Sequence, residues 1–264
     1  MKSLILIKLG GSLITNKSKK DSLNKKNLNI LCADIKKVQD LGYKLIIAHG
    51  QGSFAHYPAQ KYNTSKGILN KESYKGICEV AGKASWLNRI VTDNLYQLGV
   101  NAFSINPSSI LVSYKHRLKK IFIDSLEQLL KNNLTPVLYG DQIMDEKTGC
   151  TIFSAEKVLN SVARALKNKK YKIKKMIHCT NVGGVFDAKK NIIQEINFKN
   201  FNFFKKNIKS SKNIDVTGGM LHKVEQSLEM ARNDIESYII NGSIKDNLLK
   251  VIEDKKFIGT KIVK

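Results

Sequence analysis

The chain reads SLILIKLGGS at residues 3–12, an apolar run that ends in two glycines. A short apolar run that stops at a tight turn is typical of a buried strand in a parallel sheet. Glycines directly after a strand allow backbone N–H groups to approach an anion, because they carry no Cβ that would block it. Lys8 precedes the turn and can reach the same anion. This stretch therefore predicts a first β-strand followed by a phosphate-binding turn.

The same order of strand, turn and helix recurs along the sequence. Further apolar runs at residues 43–48, 136–139 and 175–180 are each followed closely by glycine. Helical periodicity covers four longer stretches, near residues 25–41, 72–98, 155–167 and 219–232. Strands that alternate with helices of this length predict an α/β protein with a central, mostly parallel sheet in three layers. Ligands of such sheets bind beyond the carboxyl ends of the strands, which is where these glycines lie.

Length and composition are those of an ordinary globular protein. The 264 residues suffice for one large α/β domain or for two tightly joined lobes. Hydrophobic residues make up 42% and charged residues 25%, the usual balance for a chain with a core. Three prolines occur, and no Ser/Pro-rich or Gly/Ser-rich linker interrupts the sequence. We therefore expect lobes that share one sheet rather than separate domains.

The formal net charge of +23 raises the question of a nucleic-acid partner. The basic residues are mostly lysines, and the arginines are Arg89, Arg117, Arg164 and Arg232. Base readout favours arginine, whose planar fork binds two acceptors at once. The lysines are also spread along the whole chain, as is typical of solvated faces. We therefore expect no specific nucleic-acid partner, although the positive field raises the local concentration of anionic substrates.

Cysteine usage and hydropathy indicate a cytoplasmic protein. The four cysteines form no C-x-x-C pair and lie far apart, at Cys32, Cys78, Cys150 and Cys179. Reduced thiols in a reducing compartment are the simplest interpretation. No apolar run approaches the length of a membrane span, and the apolar residues near the start fit a strand better than a signal peptide. We expect no membrane partner.

A second candidate anion site is HGQGSFAH at residues 49–56, again after an apolar strand. Gly50 and Gly52 could present backbone N–H groups to an anion, and His56 could donate a hydrogen bond to it. The alternative is a structural or merely exposed histidine beside a tight turn.

A third candidate is DVTGGMLHK at residues 215–223. Two glycines that open a helix, with a lysine one turn later, place N–H groups, the helix dipole and a cation around one phosphate. The alternative is an ordinary helix start with Thr217 as its cap and Lys223 on the surface.

These motifs resemble those of a known family in both order and spacing. The matching stretches are KLGGSLITNK at 8–17, HGQGSFAH at 49–56, NPSS at 106–109, PVLYGD at 136–141 and DVTGGMLHK at 215–223. Together they are similar to the amino acid kinase superfamily and, within it, to the isopentenyl phosphate kinases, over nearly the whole chain. The resemblance implies a three-layer αβα sandwich in one continuous domain. It also implies an N-terminal lobe over residues 1–150 for a phosphate acceptor and a C-terminal lobe over residues 151–264 for ATP.

The resemblance further implies a reaction. The γ-phosphoryl group of ATP is transferred to isopentenyl phosphate, giving isopentenyl diphosphate for isoprenoid synthesis, in a homodimer. A phosphate monoester is already ionised at neutral pH, so the enzyme needs alignment and charge neutralisation rather than a strong base. Lysines, backbone N–H groups and a Mg²⁺ ion carried by the nucleotide supply these. No metal site made of protein carboxylates is therefore expected.

By the same resemblance, individual residues have roles. The ATP-binding set is Lys8, Gly10, Gly11, Ser12, Asn181, Gly218, Gly219 and Lys223. The acceptor-binding set is Gly50, Gly52, Ser53, His56 and Ala155. The catalytic set is Lys8, Lys17, His56, Glu156 and Lys223. Within it, Lys17 is expected to neutralise charge on the transferring group, and Glu156 to organise the active-site lysines. An apolar substrate tail would be lined by the helix near residues 74–87.

The sequence departs from the family pattern at several positions. Gln51 stands where the family usually has the middle of three glycines, and Ala55 replaces another glycine. SAEK at 154–157 replaces a Ser-Gly-Asp-Asp run, so Glu156 keeps a charge on a longer arm while Lys157 reverses one. TNVGGV at 180–185 replaces Thr-Asp-Val-Asp-Gly-Val and loses two carboxylates near the nucleotide.

These departures leave alternatives open. They could change the nucleotide preference, slow turnover or signal another acceptor. Residues 154–157 resemble the Ser-Ser-Asp-Arg run of fosfomycin kinase about as well, which implies a kinase of the same fold for another small phosphonate, phosphate or carboxylate. QKY at 60–62 and NPSS at 106–109 favour the isopentenyl phosphate group. A catalytically impaired cationic binding protein is the alternative outside enzymes.

Overall fold

The computed structural model describes residues 3–16, 18–210 and 219–264, and within them the side chains of all but residues 206–210. The strands are β1 (Leu4–Leu9), β2 (Lys44–His49), β3 (Ala102–Ser104), β4 (Leu111–Tyr114), β5 (Arg117–Ile121), β6 (Thr135–Tyr139), β7 (Asp141–Asp145), β8 (Gly149–Phe153), β9 (Ile173–Thr180), β10 (Glu195–Ile196), β11 (Glu236–Asn241) and β12 (Gly259–Ile262). The helices are α1 (Gly11–Ile14), α2 (Lys25–Asp40), α3 (Gly52–Lys61), α4 (Lys71–Gln97), α5 (Asp124–Lys131), α6 (Ala155–Asn168), α7 (Phe201–Ser210), α8 (Gly219–Ala231) and α9 (Asn247–Ile252).

The central sheet has eight strands in the order β10-β12-β11-β9-β1-β2-β6-β3. The neighbours from β11 to β3 all pair in parallel, and β12 is antiparallel to β11. Strands from residues 1–150 form one half of the sheet and strands from residues 151–264 form the other. The halves meet where β1 pairs with β9, so no break in the sheet separates them.

Helices cover both faces of this sheet because its strands are apolar on both faces. In β1, Ile5, Ile7 and Leu9 pack into a core with α2, α4 and α9. The alternating residues Leu4 and Leu6 pack into a second core with α5 and α6. The three-layer αβα sandwich that the sequence predicted is thereby confirmed. Within the three described ranges, every helix falls short of the length of apolar sequence that a membrane span requires.

A smaller four-stranded sheet, in the order β5-β4-β7-β8, was not predicted from the sequence. The turn at residues 145–149 joins β7 to β8. The two hairpins of this sheet meet through the single pair Ser113↔Asp145. β5 is largely exposed and reads RLKKI, which lacks the apolar pattern by which a strand is recognised.

Asp145 holds the two hairpins together. Its buried carboxylate accepts hydrogen bonds from the backbone N–H groups of Lys115, His116, Lys147 and Thr148 and from the hydroxyl group of Ser113. Burial alone would raise the pKa of this carboxyl group, but these donors lower it well below its usual range. The sheet in turn positions Phe153 and Ser154, which precede α6.

We expect Asp145→Ala to lower the free energy of unfolding by at least about 2 kcal/mol, because several backbone donors lose a charged acceptor together. Urea unfolding followed by circular dichroism measures this change. Asp93→Ala is the matched control, since Asp93 pairs only with the exposed Arg89 one turn earlier on α4 among the described ion pairs, and it should leave the urea midpoint nearly unchanged. Equal midpoints for the two variants would contradict the role of Asp145.

Candidate functional site

Four neighbouring parallel strands, β9, β1, β2 and β6, end at one cavity of about 340 Å³. Residues just after these strands line it, among them Gly10, Gly50, Gly140 and Asn181. The strands end together because they are parallel and aligned, with Leu9 opposite both His49 and Cys179. The cavity therefore lies where α/β proteins commonly bind their ligands.

Four helices begin at this cavity. The first residues of α1, α3, α6 and α8 all line it, namely Gly11, Gly52, Ala155 and Gly219. Three of these helices are long, with 10 residues in α3, 14 in α6 and 13 in α8. The N–H groups of a first helical turn have no partner within the helix, and the dipole makes this end positive. Several such ends around one space favour a ligand with more than one phosphate group.

The two glycine turns that end β1 and β2 touch each other. A Cβ on Gly11 would lie 2.6 Å from the backbone nitrogen of Gly52, and one on Gly50 would lie 2.8 Å from that of Gly11. Gly52 also has a positive φ of 52° and abuts Thr15. Only glycine fits these contacts. The two predicted anion-binding turns are thereby held side by side, as phosphoryl transfer between two bound anions would require.

A buried ion pair lies at the floor of the cavity. The ammonium group of Lys8, on β1, is 2.8 Å from the carboxylate of Glu156, in the first turn of α6. Ser154 caps this helix by accepting a hydrogen bond from the backbone N–H of Lys157 at 3.2 Å, which fixes where α6 begins. Both charged side chains are more than nine-tenths buried. Burial alone would raise the pKa of Glu156, but Lys8 and Lys223 lower it well below its usual range.

Lys223 supplies a second cation to the cavity. It lies one turn into α8, where its ammonium group donates to the carbonyl oxygen of Gly219 at 3.2 Å. Behind the lysines, His178 on β9 is fully buried beside Lys8 in the sheet. Burial lowers the pKa of His178 to about 4, so its imidazole is neutral at physiological pH. Among the described lining residues, two lysines thus face one carboxylate, which leaves a positive balance for anions.

Most of the predicted site residues line this one cavity. They are Lys8, Gly10, Gly11, Ser12, Gly50, Gly52, His56, Ala155, Glu156, Asn181, Gly219 and Lys223. The predicted residues Lys17 and Gly218 lie outside the described residues. Ser53 is described but is not among the lining residues: its backbone N–H donates to the hydroxyl group of Thr15, and its own hydroxyl bonds to the backbone of Ser22. The individual roles remain predictions.

The charge reversal at Lys157 does not reach the cavity. This side chain crosses the ring of Phe153, 3.9 Å from its centroid, and donates to the carbonyl oxygen of His116 in the small sheet. Gly183 likewise is not among the described lining residues, and a Cβ at this position would lie 2.9 Å from Cδ1 of Ile192. Of the departures near the nucleotide motifs, Asn181 is the one at the cavity. At the cavity, the departures from the family pattern therefore keep the negative charge of Glu156 and lose one carboxylate, at Asn181.

Other lining residues were not predicted. Part of the lining is apolar, and it comes from Ile152, Phe153, Val182, Val185, Phe186 and Met220. Residues 74–87, which were expected around a substrate tail, are not among the described lining residues, and their role there stays a prediction. Gln51, Gly140 and His222 are polar or small additions. The sequence did hold a signal for Gly140 and His222, since both lie within the recognised motifs. Ile152 and Phe186 carried no signal, because only the tertiary fold brings them to this space.

The described residues lining the cavity are a poor match for a metal cage. Their one carboxylate, Glu156, is already bound to Lys8, and the three described ranges contain no cluster of three or more metal-ligating side chains. Mg²⁺ prefers carboxylate, water and phosphate oxygens. A divalent ion at this site would therefore need the phosphate groups of a nucleotide as its main ligands.

Comparison with known proteins places the chain in a family. The amino acid kinase family model matches residues 3–241. The chain belongs to the amino acid kinase family. Among curated proteins it is 32% identical to isopentenyl phosphate kinase from Methanocaldococcus jannaschii, over 94% of this chain and 95% of that protein. It is 28% identical to the isopentenyl phosphate kinase from Methanothermobacter thermautotrophicus over 98% of each. Acetylglutamate kinase from Nautilia profundicola is 26% identical, over 98% of this chain and 90% of that one.

Solved structures agree with this placement. A crystal structure of isopentenyl phosphate kinase superposes with a TM-score of 0.81 at 26% identity, covering 98% of this chain and 100% of that one. The product complex of the Thermoplasma acidophilum enzyme superposes with a TM-score of 0.78 at 23% identity and the same coverage, which supports the fold. The chain is thus a phosphotransferase similar to the isopentenyl phosphate kinases over nearly its full length.

Glu156→Gln tests the buried ion pair. We expect it to lower the free energy of unfolding at neutral pH by roughly 2–4 kcal/mol, because Lys8 stays buried without its countercharge. The pKa of Glu156 is lowered on folding from its ordinary value of 4.5, so its contribution exists above that pH and is lost as the pH falls. Urea unfolding of both proteins at several pH values measures the difference, which should shrink below about pH 4.5. A difference that is constant with pH would contradict the assignment.

Proposed function

We propose that this chain is an ATP-dependent kinase that transfers the γ-phosphoryl group to isopentenyl phosphate and so makes isopentenyl diphosphate. The observation that carries the proposal is the single cavity in which four helix N-termini and two lysines surround two touching glycine turns. Such a space fits two anions brought together for in-line transfer. The full-length similarity to several isopentenyl phosphate kinases names the acceptor.

The cavity divides into two sides about β1. On one side lie Asn181 after β9 and the start of α8, which we assign to the nucleotide together with Gly10–Ser12. On the other side lie the turn Gly50–Gly52 and His56, which we assign to the acceptor. β1 lies between β9 and β2 in the sheet. Lys8, on β1, therefore lies between the nucleotide side and the acceptor side of the cavity. By this division, residues 1–150 hold the acceptor and also contribute Gly10–Ser12 to the nucleotide, whose other contacts come from residues 151–264.

Phosphoryl transfer requires no covalent bond between the protein and the transferred group. Lys8, held by Glu156, keeps its charge at a fixed point where negative charge moves from one anion to the other. Lys223 neutralises the nucleotide phosphates, and His56 donates to the acceptor. Each such donor acts through electrostatic stabilisation that is already in place before the reaction. Lys17 completes the set by the family resemblance.

Binding of Mg²⁺ at this site would depend on the nucleotide. ATP would bring the ion bound to its phosphate oxygens, and the ion would supply charge neutralisation that Lys8 and Lys223 alone do not provide. This chain's own part is to hold the phosphates by the backbone N–H groups of Gly11, Ser12 and Gly219, since that of Gly10 donates to the carbonyl oxygen of Cys179. Removal of Mg²⁺ with EDTA should therefore abolish turnover without unfolding the protein.

Two features of the acceptor side favour a second candidate. Gln51 and Ala155 stand where the family pattern has glycines, and both line the cavity. They reduce the space around the acceptor head group, which would suit a smaller phosphonate, phosphate or carboxylate. The apolar lining residues Ile152 and Phe153 favour an acceptor with a hydrocarbon tail and thus the isopentenyl ester.

The family resemblance also suggests a cellular compartment and an oligomeric state for this chain. We propose a cytoplasmic homodimer, and the free thiols of the four described cysteines fit a reducing compartment. Light scattering after size-exclusion chromatography measures the molar mass of the assembly. A value near 29.7 kDa would reject the dimer.

The activity itself is tested with ATP, Mg²⁺ and a panel of acceptors that includes isopentenyl phosphate. We expect isopentenyl diphosphate and ADP as products, observed by ³¹P NMR. Absence of the diphosphate at high enzyme concentration would reject the proposal, and turnover of another panel member would favour the second candidate. Tight, salt-dependent binding to duplex DNA or RNA without ATP turnover would favour a cationic binding protein.

Two variants, one on each side of the cavity, test which side binds the acceptor and which binds ATP. His56→Ala should lower kcat/KM for the acceptor by roughly 100-fold, because a positioned donor is lost. Lys223→Ala should instead raise KM for ATP, since its ammonium group faces the nucleotide side. Steady-state kinetics with each substrate varied in turn measure both effects. The division of the cavity is wrong if the two variants change the same parameter.

A further inference from the structure

Gln51 places an unsatisfied carboxamide at the acceptor side of the cavity. It follows Gly50 at the end of β2 and lines the cavity, yet its side chain is only 7% exposed. Its Nε2 is buried and has no hydrogen-bond acceptor among the described residues. A buried N–H group without a partner is destabilising. Beside a ligand cavity, a bound ligand can supply the missing hydrogen-bond acceptor.

The direction of this side chain follows from its neighbours. A Cβ on Gly140 would lie 3.6 Å from Cγ of Gln51 and 3.2 Å from the backbone nitrogen of Ala155. The side chain of Gln51 therefore extends from the end of β2 past the end of β6 towards the start of α6. This path crosses the side of the cavity that holds Gly52 and His56, away from Asn181 and Gly219.

The backbone at Gln51 accepts a long side chain without strain. Its φ of −70° and ψ of −21° are ordinary right-handed helical values, in contrast to the positive φ of Gly52. No feature of the chain path therefore demands glycine at position 51. The carboxamide can also rotate about its last bond, which exchanges the positions of its nitrogen and oxygen. This rotation brings the N–H groups to the position that Oε1 occupies in the structure.

We propose that the Gln51 carboxamide donates a hydrogen bond to the anionic head group of the acceptor and helps to select that head group. The inference rests on the proposed function, because it assigns Gln51 to the phosphate acceptor rather than to ATP. An occupied cavity supplies the acceptor atom that Nε2 lacks. A neutral donor suits this position, since Lys8 and His56 already border the same space and a phosphate dianion accepts many hydrogen bonds.

The first test is a set of isosteric variants in steady-state kinetics. Gln51→Met keeps the length of the side chain and removes the donor, so KM for isopentenyl phosphate should rise roughly 10- to 100-fold while KM for ATP stays unchanged. Gln51→Glu adds a negative charge beside the head group and should raise KM for isopentenyl phosphate further. Gln142→Met is the matched control: Gln142 is equally buried but donates to the carbonyl oxygen of Thr64 outside the cavity. It should leave both KM values unchanged.

A second test does not depend on turnover. In protein labelled with [¹⁵N]glutamine, the side-chain amide signal that is missing from Gln51→Met identifies Gln51. We expect this signal to shift on addition of isopentenyl phosphate or of inorganic phosphate, and the signal of Gln142 to stay in place. A Gln51 signal that responds to ATP but not to either phosphate would overturn the proposal.

The outcomes separate this inference from the proposed function. A wild-type protein that makes no isopentenyl diphosphate rejects the proposed function, and the amide titration with inorganic phosphate still tests Gln51. A wild-type protein that is active, with Gln51→Met indistinguishable from it in KM for the acceptor, rejects the inference alone. A rise in both KM values with reduced stability in Gln51→Met indicates a merely structural side chain and also overturns it.

Discussion

The buried ion pair between Lys8 and Glu156 is the interaction on which the rest of the site depends. It joins the first strand of the sheet to the first turn of α6, two elements that are far apart in the sequence. A lysine at this depth keeps its charge only beside a countercharge, and a carboxylate at this depth needs the same. The pair therefore holds the ammonium group of Lys8 at the floor of the cavity, where phosphate groups need a cation, and holds the first turn of α6 beside it.

The remaining parts of the cavity follow from parallel strands that end together. Their shared end collects the glycine turns, and the close contact of Gly11 with Gly52 leaves no room for side chains between the two anion sites. Helix N-termini supply backbone donors without further cations. This arrangement explains how a site with one carboxylate and two described lysines serves a reaction between two highly charged molecules.

Local sequence was enough to predict the four strands β1, β2, β6 and β9 of the central sheet, the main helices and the glycines at the strand ends. Apolar runs that stop at glycine mark the edge of a parallel sheet, so the residue pattern alone was enough to bring Gly10 and Gly50 to one site, whereas Asn181 was assigned by the family resemblance. The small sheet was missed because its pairing relies on Asp145, a single acidic residue that collects backbone donors from two hairpins. The direction of Lys157 was also beyond the sequence, since only the packing of Phe153 turns it away from the cavity. The same holds for Ser53, whose hydroxyl is taken up by Ser22.

A crystal structure with a non-hydrolysable ATP analogue and isopentenyl phosphate would show whether the Lys8–Glu156 pair serves both ligands in one cavity. We predict that the phosphate groups of both ligands lie in the one cavity, with the ammonium group of Lys8 in contact with a phosphate oxygen while it remains bound to Glu156. The nucleotide should lie on the side of Asn181 and Lys223, and the acceptor on the side of Gly52. A complex in which Lys8 leaves Glu156, or in which the two ligands occupy separate cavities, would contradict it.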